Sequence, residues 1–520
     1  MVDTISFVLP KSEYEDFTWI LQDEHNPASH PPLIASGSPL VKPPDIENSD
    51  EIPETLTING FYYLREVEDK DANQSVKSRF PHVSQPESVE DITRWRKDWF
   101  PEMDKLVALL ENFDPNSVEK GNWKQILQDH DDEYRRVFRG IHANAVATAH
   151  LAANKYLDEY IKQENNSSRE EGMMLLQGFS NCSLDRSIAL WELSRLIRGD
   201  EDSIHEIIKG EFSSEFQNAQ QFLDLYNEML NKFGSTSNNG LQDLPTWRDG
   251  ASIPIEIIRS YALQDDSKSP IVASLQQKNN RMDMESILRE KAKNNSKYLN
   301  LINLMEIAQH FLPNLEDHNL LCDQQCVYSS RIKWLNIGKY LKRKSVLIDE
   351  NDVFFYSRNE LLEALENGTS LNQQEVENRK DLQQQFRKIS PPLLLGKSSS
   401  TFQDVNSIPS EGSVQKIIKG TPASAGVYTG IARVFESIND AQKLQNGEIL
   451  VVRALSPPWT PYVAIAGGIV TNSGGPLSHG AIVAREFGVP AIVGTKNGTD
   501  FIRDGMSITI NGTDGTIIIQ

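Results

Sequence analysis

Apolar residues are spaced differently in two parts of the chain. Over residues 134–162 and 183–197 they recur every three or four positions, which is typical of helices that bury one face, and the second run opens with Ser183 as a suitable N-cap. Beyond residue 419 they form short Val- and Ile-rich runs such as "GEILVVRAL" and "MSITING", which predict strands. We therefore predict a multidomain α+β protein with a largely α-helical N-terminal body and a smaller C-terminal domain that contains strands.

Composition separates four segments. The first is rich in Pro and irregular, the second carries the helical signals, and the third is polar, Ser-rich and without periodicity, as flexible linkers are. The fourth holds 15 of the 30 glycines together with the strand signals. The segments are an N-terminal segment that packs on the body (1–90), the body (91–395), a linker (396–418) and the C-terminal domain (419–520).

Two stretches allow a more detailed prediction. "TLTINGFYYLREV" (55–67) alternates around Asn59-Gly60, a residue pair that suits a two-residue hairpin turn. Residues 315–344 have the periodicity of one long helix.

Net charge and cysteine content exclude several classes of function. The net charge of −21 at pH 7 argues against nucleic acid as the main partner. The chain has no run of about 18 apolar residues, as a membrane-spanning helix needs, and its first residues lack the pattern of a secretory signal. Three cysteines do not indicate a disulfide framework. We expect a cytoplasmic protein that has neither nucleic acid nor a membrane as its partner.

One histidine lies in a sequence that is suited to binding an anion. "SGGPLSHGAIVAREFGVP" (473–490) places His479 in the first turn of a predicted helix that runs to Phe487. Backbone N–H groups lack helical partners there, and the helix dipole favours negative charge. A neutral imidazole is also a nucleophile toward phosphorus. The predicted phosphate-binding residues around His479 are Gly474, Gly475, Ser478, Gly480 and Arg485.

Other roles for these residues stay open on the sequence alone. A single histidine near a helix start is commonly a surface or capping residue. We expect no metal at His479, because residues 419–520 contain no other His or Cys. His318, Cys322 and Cys326 share one helix face and could bind a metal, but cysteines in helices are more often core residues.

The motif around His479 resembles that of a known family. "GIVTNSGGPLSHGAIVAREFGVPAIVGT" (468–495) resembles the phosphohistidine swivelling domain of phosphoenolpyruvate-utilising enzymes. "GTPASAGVYTGIARV", "LSPPWTPYVAIA" and "DGMSITINGTDGTIII" are similar to the same family. The body resembles, more loosely, the acceptor-binding region of the rifampin phosphotransferase and phenylphosphate synthase relatives. Gly480 is a departure, since the family commonly has Ala there.

The resemblance implies a β/β/α fold for the C-terminal domain and a phosphocarrier role for His479. The protein would be a phosphotransferase component that passes a phosphoryl group from His479 to a hydroxyl group of a small-molecule acceptor. Family enzymes usually carry an ATP-grasp domain, whereas this chain has no Walker A motif and no stretch that resembles that fold. We therefore expect an ATP-grasp partner that binds ATP and Mg²⁺ and charges His479. A homo-oligomer is compatible with the sequence.

The body offers candidates for the acceptor site. In "EDHN", Glu316 or His318 could act as general base for the acceptor hydroxyl, with Asp317 between them, although a structural pair is the competing interpretation. His25 is a further candidate, because the corresponding loop of the relatives lies near the acceptor pocket. Since the acidic body should repel phosphate, a cationic group or Mg²⁺ is expected where transfer occurs, at a place that the sequence does not indicate.

Two alternative functions remain. The chain could be a non-catalytic regulatory or binding protein that keeps the fold, although the intact motif around His479 weighs against this. It could also be a dehydratase in which phosphorylation of a hydroxyl group precedes elimination.

Overall fold

A computed structural model of the protein has a helical body followed by a C-terminal domain with a mixed sheet, which confirms the predicted α+β class. In the part of the chain that the structure describes, no helix is long and apolar enough to cross a membrane. The described residues are 6–22, 29–36, 55–66, 86–164, 169–199, 218–237, 241–250, 253–389, 391–397 and 416–520.

Helices of very different lengths make up the body and its N-terminal segment. They are α1 (Pro32–Ala35), α2 (Glu90–Glu111), α3 (Trp123–Gln163), α4 (Arg169–Met174), α5 (Cys182–Leu196), α6 (Ala219–Phe233), α7 (Ile253–Ala262), α8 (Pro270–Asn294), α9 (Lys297–Phe311), α10 (Asn314–His318), α11 (Val327–Arg343), α12 (Arg358–Asn367) and α13 (Gln373–Phe386). The longest, α3, has 41 residues. Small buried residues such as Ala149 and Ala153 let α9 pack closely against it through Leu301 and Met305.

The helix predicted over residues 315–344 contains one wider section. Asn319–Cys326 form a π-helix between α10 and α11, so the helical path is continuous but its turns are locally wider. Such sections occur frequently at functional sites. This one directly follows the short helix that carries Glu316.

The start of α5 differs from the prediction in its cap. The Asn181 side chain, and not Ser183, accepts the backbone N–H of Leu184 at 3.0 Å. Ser183 lies inside the first turn and is buried, so its hydroxyl is available for a contact outside the helix. Both residue types favour N-caps, and only the path of the chain decides between them.

The N-terminal segment forms a small sheet in its described part. Its strands are β1 (Thr18–Leu21), β2 (Thr55–Ile58), β3 (Phe61–Arg65) and β4 (Leu394–Gly396), in the order β2-β3-β1-β4. The predicted hairpin is confirmed, and Asn59 and Gly60 both have positive φ, of 52° and 78°, as a type I′ turn requires. Because β1 pairs with β4, the sheet joins the N-terminal segment to the end of the body.

The C-terminal domain contains an eight-stranded sheet with three short helices. Strands β7, β8, β9 and β10 are parallel neighbours, and every residue of β8 and β9 is buried, as expected for the centre of a parallel sheet. The elements are β5 (Lys416–Lys419), β6 (Thr421–Ser424), β7 (Val427–Phe435), β8 (Ile449–Val452), β9 (Gly468–Thr471), β10 (Ala491–Val493), β11 (Ser507–Asn511), β12 (Thr516–Ile519), α14 (Thr460–Val463), α15 (His479–Phe487) and α16 (Gly498–Phe501), and the strand order is β5-β12-β11-β7-β8-β9-β10-β6.

The predicted linker is only partly described. Its last residues, 416–418, belong to β5, which pairs with β12 in the sheet of the C-terminal domain. Its first residue, Gly396, ends β4. Residues 398–415 lie outside the described residues.

The body and the C-terminal domain share one hydrophobic core. Trp191 and Tyr261 of the body lie in the same buried cluster as Trp459 and Tyr462 of the C-terminal domain. The hydroxyl of Tyr261 also donates to the carbonyl oxygen of Pro461 at 2.7 Å. The C-terminal domain is therefore docked on the body, with the first turn of α15 close to α10.

Candidate functional site

His479 is the first residue of α15, and its ring faces the body. The side chain is only 12% exposed. The preceding loop needs glycine at position 474, where φ is 114° and an added Cβ would lie 2.9 Å from Ser478 Oγ. Ser478 Oγ donates to the carbonyl oxygen of Gly475 at 2.9 Å, which holds this loop against the helix start.

A carboxylate of the body binds one ring nitrogen of His479. Nδ1 lies 2.8 Å from Glu316 Oε2 and 3.1 Å from Oε1, and the Glu316 side chain is 1% exposed. Ser183 donates its hydroxyl to the same carboxylate at 2.6 Å. Because an ionised carboxylate only accepts hydrogen bonds, Nδ1 carries the proton of this contact. The lone pair of a neutral ring then lies on Nε2.

The other ring nitrogen faces a hydroxyl group and a buried cation. Nε2 of His479 lies 3.1 Å from Thr460 Oγ1. Arg186, on α5, donates to this same Thr460 oxygen at 3.2 Å and is 2% exposed. A nucleophilic nitrogen is thus oriented toward groups that stabilise negative charge, an arrangement that suits transfer of a phosphoryl group.

Comparison with known families separates the two parts of the chain in the same way. Residues 444–515 match the family described as the PEP-utilising enzyme, mobile domain. We refer to the C-terminal domain, residues 419–520, as the mobile domain after this match. Residues 137–314, which lie in the body ahead of the mobile domain, match the rifampicin phosphotransferase fourth domain.

Several curated proteins are similar to the chain over different lengths. A rifampicin phosphotransferase of Bacillus cereus is 25% identical over 425 residues, which cover 75% of this chain and 46% of that protein. One from Bacillus subtilis is 35% identical over 185 residues, 36% of this chain and 21% of that protein. A chondramide synthase of Chondromyces crocatus is 29% identical over 463 residues, 83% of this chain but 12% of that protein. The chain thus spans less than half the length of these relatives.

The structure separates the candidate acceptor residues. Glu316 contacts His479, whereas its neighbours on α10 are turned to other partners. Asp317 accepts from the backbone N–H of Cys182 at 3.2 Å, and burial raises its pKa. His318 Nδ1 lies 3.1 Å from the Asn314 carbonyl oxygen. His25 lies outside the described residues.

Arg485, a predicted phosphate-binding residue, binds two backbone carbonyl oxygens in the structure. Its buried guanidinium donates to the carbonyl oxygens of Ala423 and Pro476, at 2.8 and 2.7 Å, and burial lowers its pKa to about 10. It therefore ties the loop before His479 to β6. An added Cβ at Gly480 would lie 3.0 Å from Leu455 Cβ, so glycine at this position allows close packing.

A second carboxylate links the mobile domain to the body. Glu486, near the end of α15, accepts the backbone N–H of Gly178 with both oxygens at 3.0 Å. Burial raises the pKa of this carboxyl to about 7. Since Gly178 belongs to the body, the charge state of Glu486 is coupled to docking.

Sequence reasoning missed Ser183, Arg186, Thr460 and Glu486. A signal existed for two of them, because Ser183 and Arg186 recur with Leu190 and Leu193 on the face of α5 that is buried. Polar residues on such a face indicate contacts with another unit. Thr460 and Glu486 have no comparable pattern, since their partners come from distant parts of the chain.

The sequence offered His318, Cys322 and Cys326 as an alternative metal site. In the described ranges, no three His, Cys, Asp or Glu side chains are grouped so that they could hold a metal ion. Cys322 and Cys326 are fully buried in a core cluster with Met103. Burial raises the pKa of both thiols, so they remain protonated.

Proposed function

We propose that this chain is a phosphotransferase component in which His479 carries a phosphoryl group to an acceptor hydroxyl bound at the body. The contact between His479 Nδ1 and Glu316 across the domain interface is the observation that carries this proposal. It places the nucleophile of the mobile domain against a buried acid of the body. The rifampicin phosphotransferases that are similar to this chain are named as phosphotransferases, which agrees with this reaction class.

The phosphoryl group comes from a nucleotide-binding unit outside these 520 residues, for which an ATP-grasp protein or domain that uses ATP and Mg²⁺ is our candidate. Charging requires the mobile domain to leave the body, because both ring nitrogens of docked His479 are engaged and the side chain is 12% exposed. The 463-residue match within a far longer synthase supports the view that body and mobile domain form one functional unit beside other modules.

In the transfer step the acceptor oxygen bonds to phosphorus while the bond between phosphorus and Nε2 breaks. The electron pair of that bond returns to Nε2. The ring keeps its Nδ1 proton on the Glu316 carboxylate throughout, so it leaves as a neutral imidazole, and the proton of the acceptor hydroxyl passes to solvent water. Glu316 thus serves the leaving imidazole, a different task from activating the acceptor as predicted.

The test uses γ- and β-labelled ATP with an ATP-grasp donor protein. We expect acid-labile label on the wild-type chain and none on His479→Ala. His310→Ala, which removes an exposed histidine of α9, is the matched control and should keep the label. Label that persists in His479→Ala would contradict the proposal.

A further inference from the structure

A buried arginine lies where the body and the mobile domain meet. The guanidinium of Arg186 donates to the carbonyl oxygen of Pro457 and to Thr460 Oγ1 of the mobile domain. It also donates to Thr236 Oγ1 and Gln324 Oε1 of the body, each at 3.4 Å. One cationic group therefore contacts both units at their junction.

In the described part of the chain, no carboxylate is hydrogen-bonded to this cation. All four acceptors of Arg186 are uncharged oxygens, and its Nε donor is buried without a hydrogen-bond partner. Glu316, which acts on Arg186 through its charge, is already bound by His479 and Ser183. Burial lowers the pKa of Arg186, because the charged form has lost its hydration. A buried charge with a spare donor is unfavourable unless an anion joins it.

The nucleophilic nitrogen of His479 lies beside this cation. Thr460 Oγ1 is 3.1 Å from His479 Nε2 and 3.2 Å from the Arg186 guanidinium, so this hydroxyl bridges the two groups. Nε2 and Thr460 Oγ1 are 3.1 Å apart, so a phosphorus atom bonded to Nε2 would take a position beside this hydroxyl once the two groups move slightly apart. Its oxygens would then come within reach of the Arg186 guanidinium and of the Thr460 hydroxyl, which without the phosphoryl group donates to the Pro457 carbonyl oxygen at 2.8 Å.

We propose that Arg186 and the hydroxyl of Thr460 form the phosphoryl-binding subsite of the docked state. This inference rests on the proposed role of His479 as the phosphocarrier. The phosphoryl group supplies the negative charge that Arg186 lacks, and Arg186 remains bound to the phosphoryl oxygens while phosphorus passes from Nε2 to the acceptor oxygen.

The subsite also gives the domain movement a direction. With a phosphoryl group on His479, docking pairs the charge of Arg186. After transfer and product release the cation again has no anion bound to it directly, so the docked state becomes less favourable. Phosphorylation of His479 therefore favours docking on the body, and its loss favours the return to the donor.

The experiment charges His479 with potassium phosphoramidate, a small phosphoryl donor that needs no partner protein. ³¹P NMR then follows the phosphohistidine resonance against pH, with His479→Ala to assign it. We expect the phosphoryl group of the wild-type protein to protonate about 1–3 pH units lower than that of Arg186→Met, since a neighbouring cation favours the dianion. Arg186→Lys should lie between them, because it keeps the charge but loses the planar fork.

Arg195→Met is the matched control on the same helix. Arg195 lies nine residues further along α5, about 13 Å away along the helix axis, and binds the Tyr261 carbonyl oxygen and Asp266. The pH midpoint of the phosphohistidine titration in Arg195→Met should equal that of the wild type. Equal midpoints in Arg186→Met and the wild type would overturn the subsite alone. Failure to charge His479, by phosphoramidate and by an ATP-grasp donor, would overturn the carrier function and the subsite with it.

Discussion

The tautomer of His479 depends on one carboxylate from another part of the chain. A neutral histidine in solution exchanges its proton between two nitrogens, and the partner of one nitrogen decides which of them is nucleophilic. Here Glu316 accepts from Nδ1, which leaves the lone pair on Nε2. Ser183 holds the Glu316 carboxylate in place through its hydroxyl. The chemistry of one residue is thus set by two others that are remote in sequence.

Glu316→Leu should change this tautomer. Without an acceptor at Nδ1, we expect the share of Nδ1-protonated ring to fall, as measured by ¹⁵N NMR of His479 at about pH 8, above the ordinary histidine pKa of about 6.5. Asp317→Asn is the control, because Asp317 contacts Cys182 and Arg96 and not His479. An unchanged tautomer in Glu316→Leu would show that Glu316 does not orient the ring.

At the scale of elements, α15 performs two tasks at its two ends. Its first residue, His479, presents the nucleophile, and its last turn places Glu486 against the backbone of Gly178. The glycines and prolines that begin and end this helix could be recognised in the sequence, because helix termination is local chemistry. The contact of Glu486 could not be recognised in the sequence, since its partner Gly178 lies 308 residues away.

Docking should weaken as the pH rises toward neutrality. The pKa of Glu486 is about 7 in the docked state, where Arg281 and Arg485 face it, against an ordinary 4.5. Because the docked state holds this proton more tightly, docking is favoured at low pH and loses strength between about pH 4.5 and 7, with little further change above. We expect small-angle X-ray scattering to show a larger radius of gyration as the pH rises through this window.

Glu486→Gln isolates this effect. The amide keeps the shape of the side chain but does not titrate in the window, so the pH response should become flatter than that of the wild type. All other charged groups are common to both proteins, so their effects cancel in the comparison. The same response in both would exclude Glu486 as its source.

At the scale of the whole molecule, the docked state is one half of the proposed cycle. The shared core around Trp191, Tyr261 and Trp459 holds the mobile domain on the body, whereas charging requires its release. An interface that serves both needs must be strong enough to exclude water during transfer and weak enough to open. Single polar contacts within this interface should therefore adjust the rate of charging.

Tyr261→Phe should speed charging of His479. It removes the hydrogen bond to the Pro461 carbonyl oxygen, worth about 1 kcal/mol, which corresponds to about a fivefold larger undocked fraction. The initial rate of His479 phosphorylation by phosphoramidate measures this. Tyr226→Phe, a buried tyrosine of α6 in the same core, is the control and should leave the rate unchanged. A rate in Tyr261→Phe that equals the wild type would contradict control by docking.

The sequence by itself determined the features that depend on neighbouring residues. The periodicity of α3 and α5, the turn at Asn59-Gly60, the short strands after residue 419 and the glycine-rich start of α15 all follow from local sterics and local hydrogen bonding. The motif around His479 could be recognised for the same reason. Tertiary structure alone decided which side chains meet at the interface. Arg485 supports a loop and Arg186 approaches Thr460, because the packing of the two units, and not residue type, places each charge.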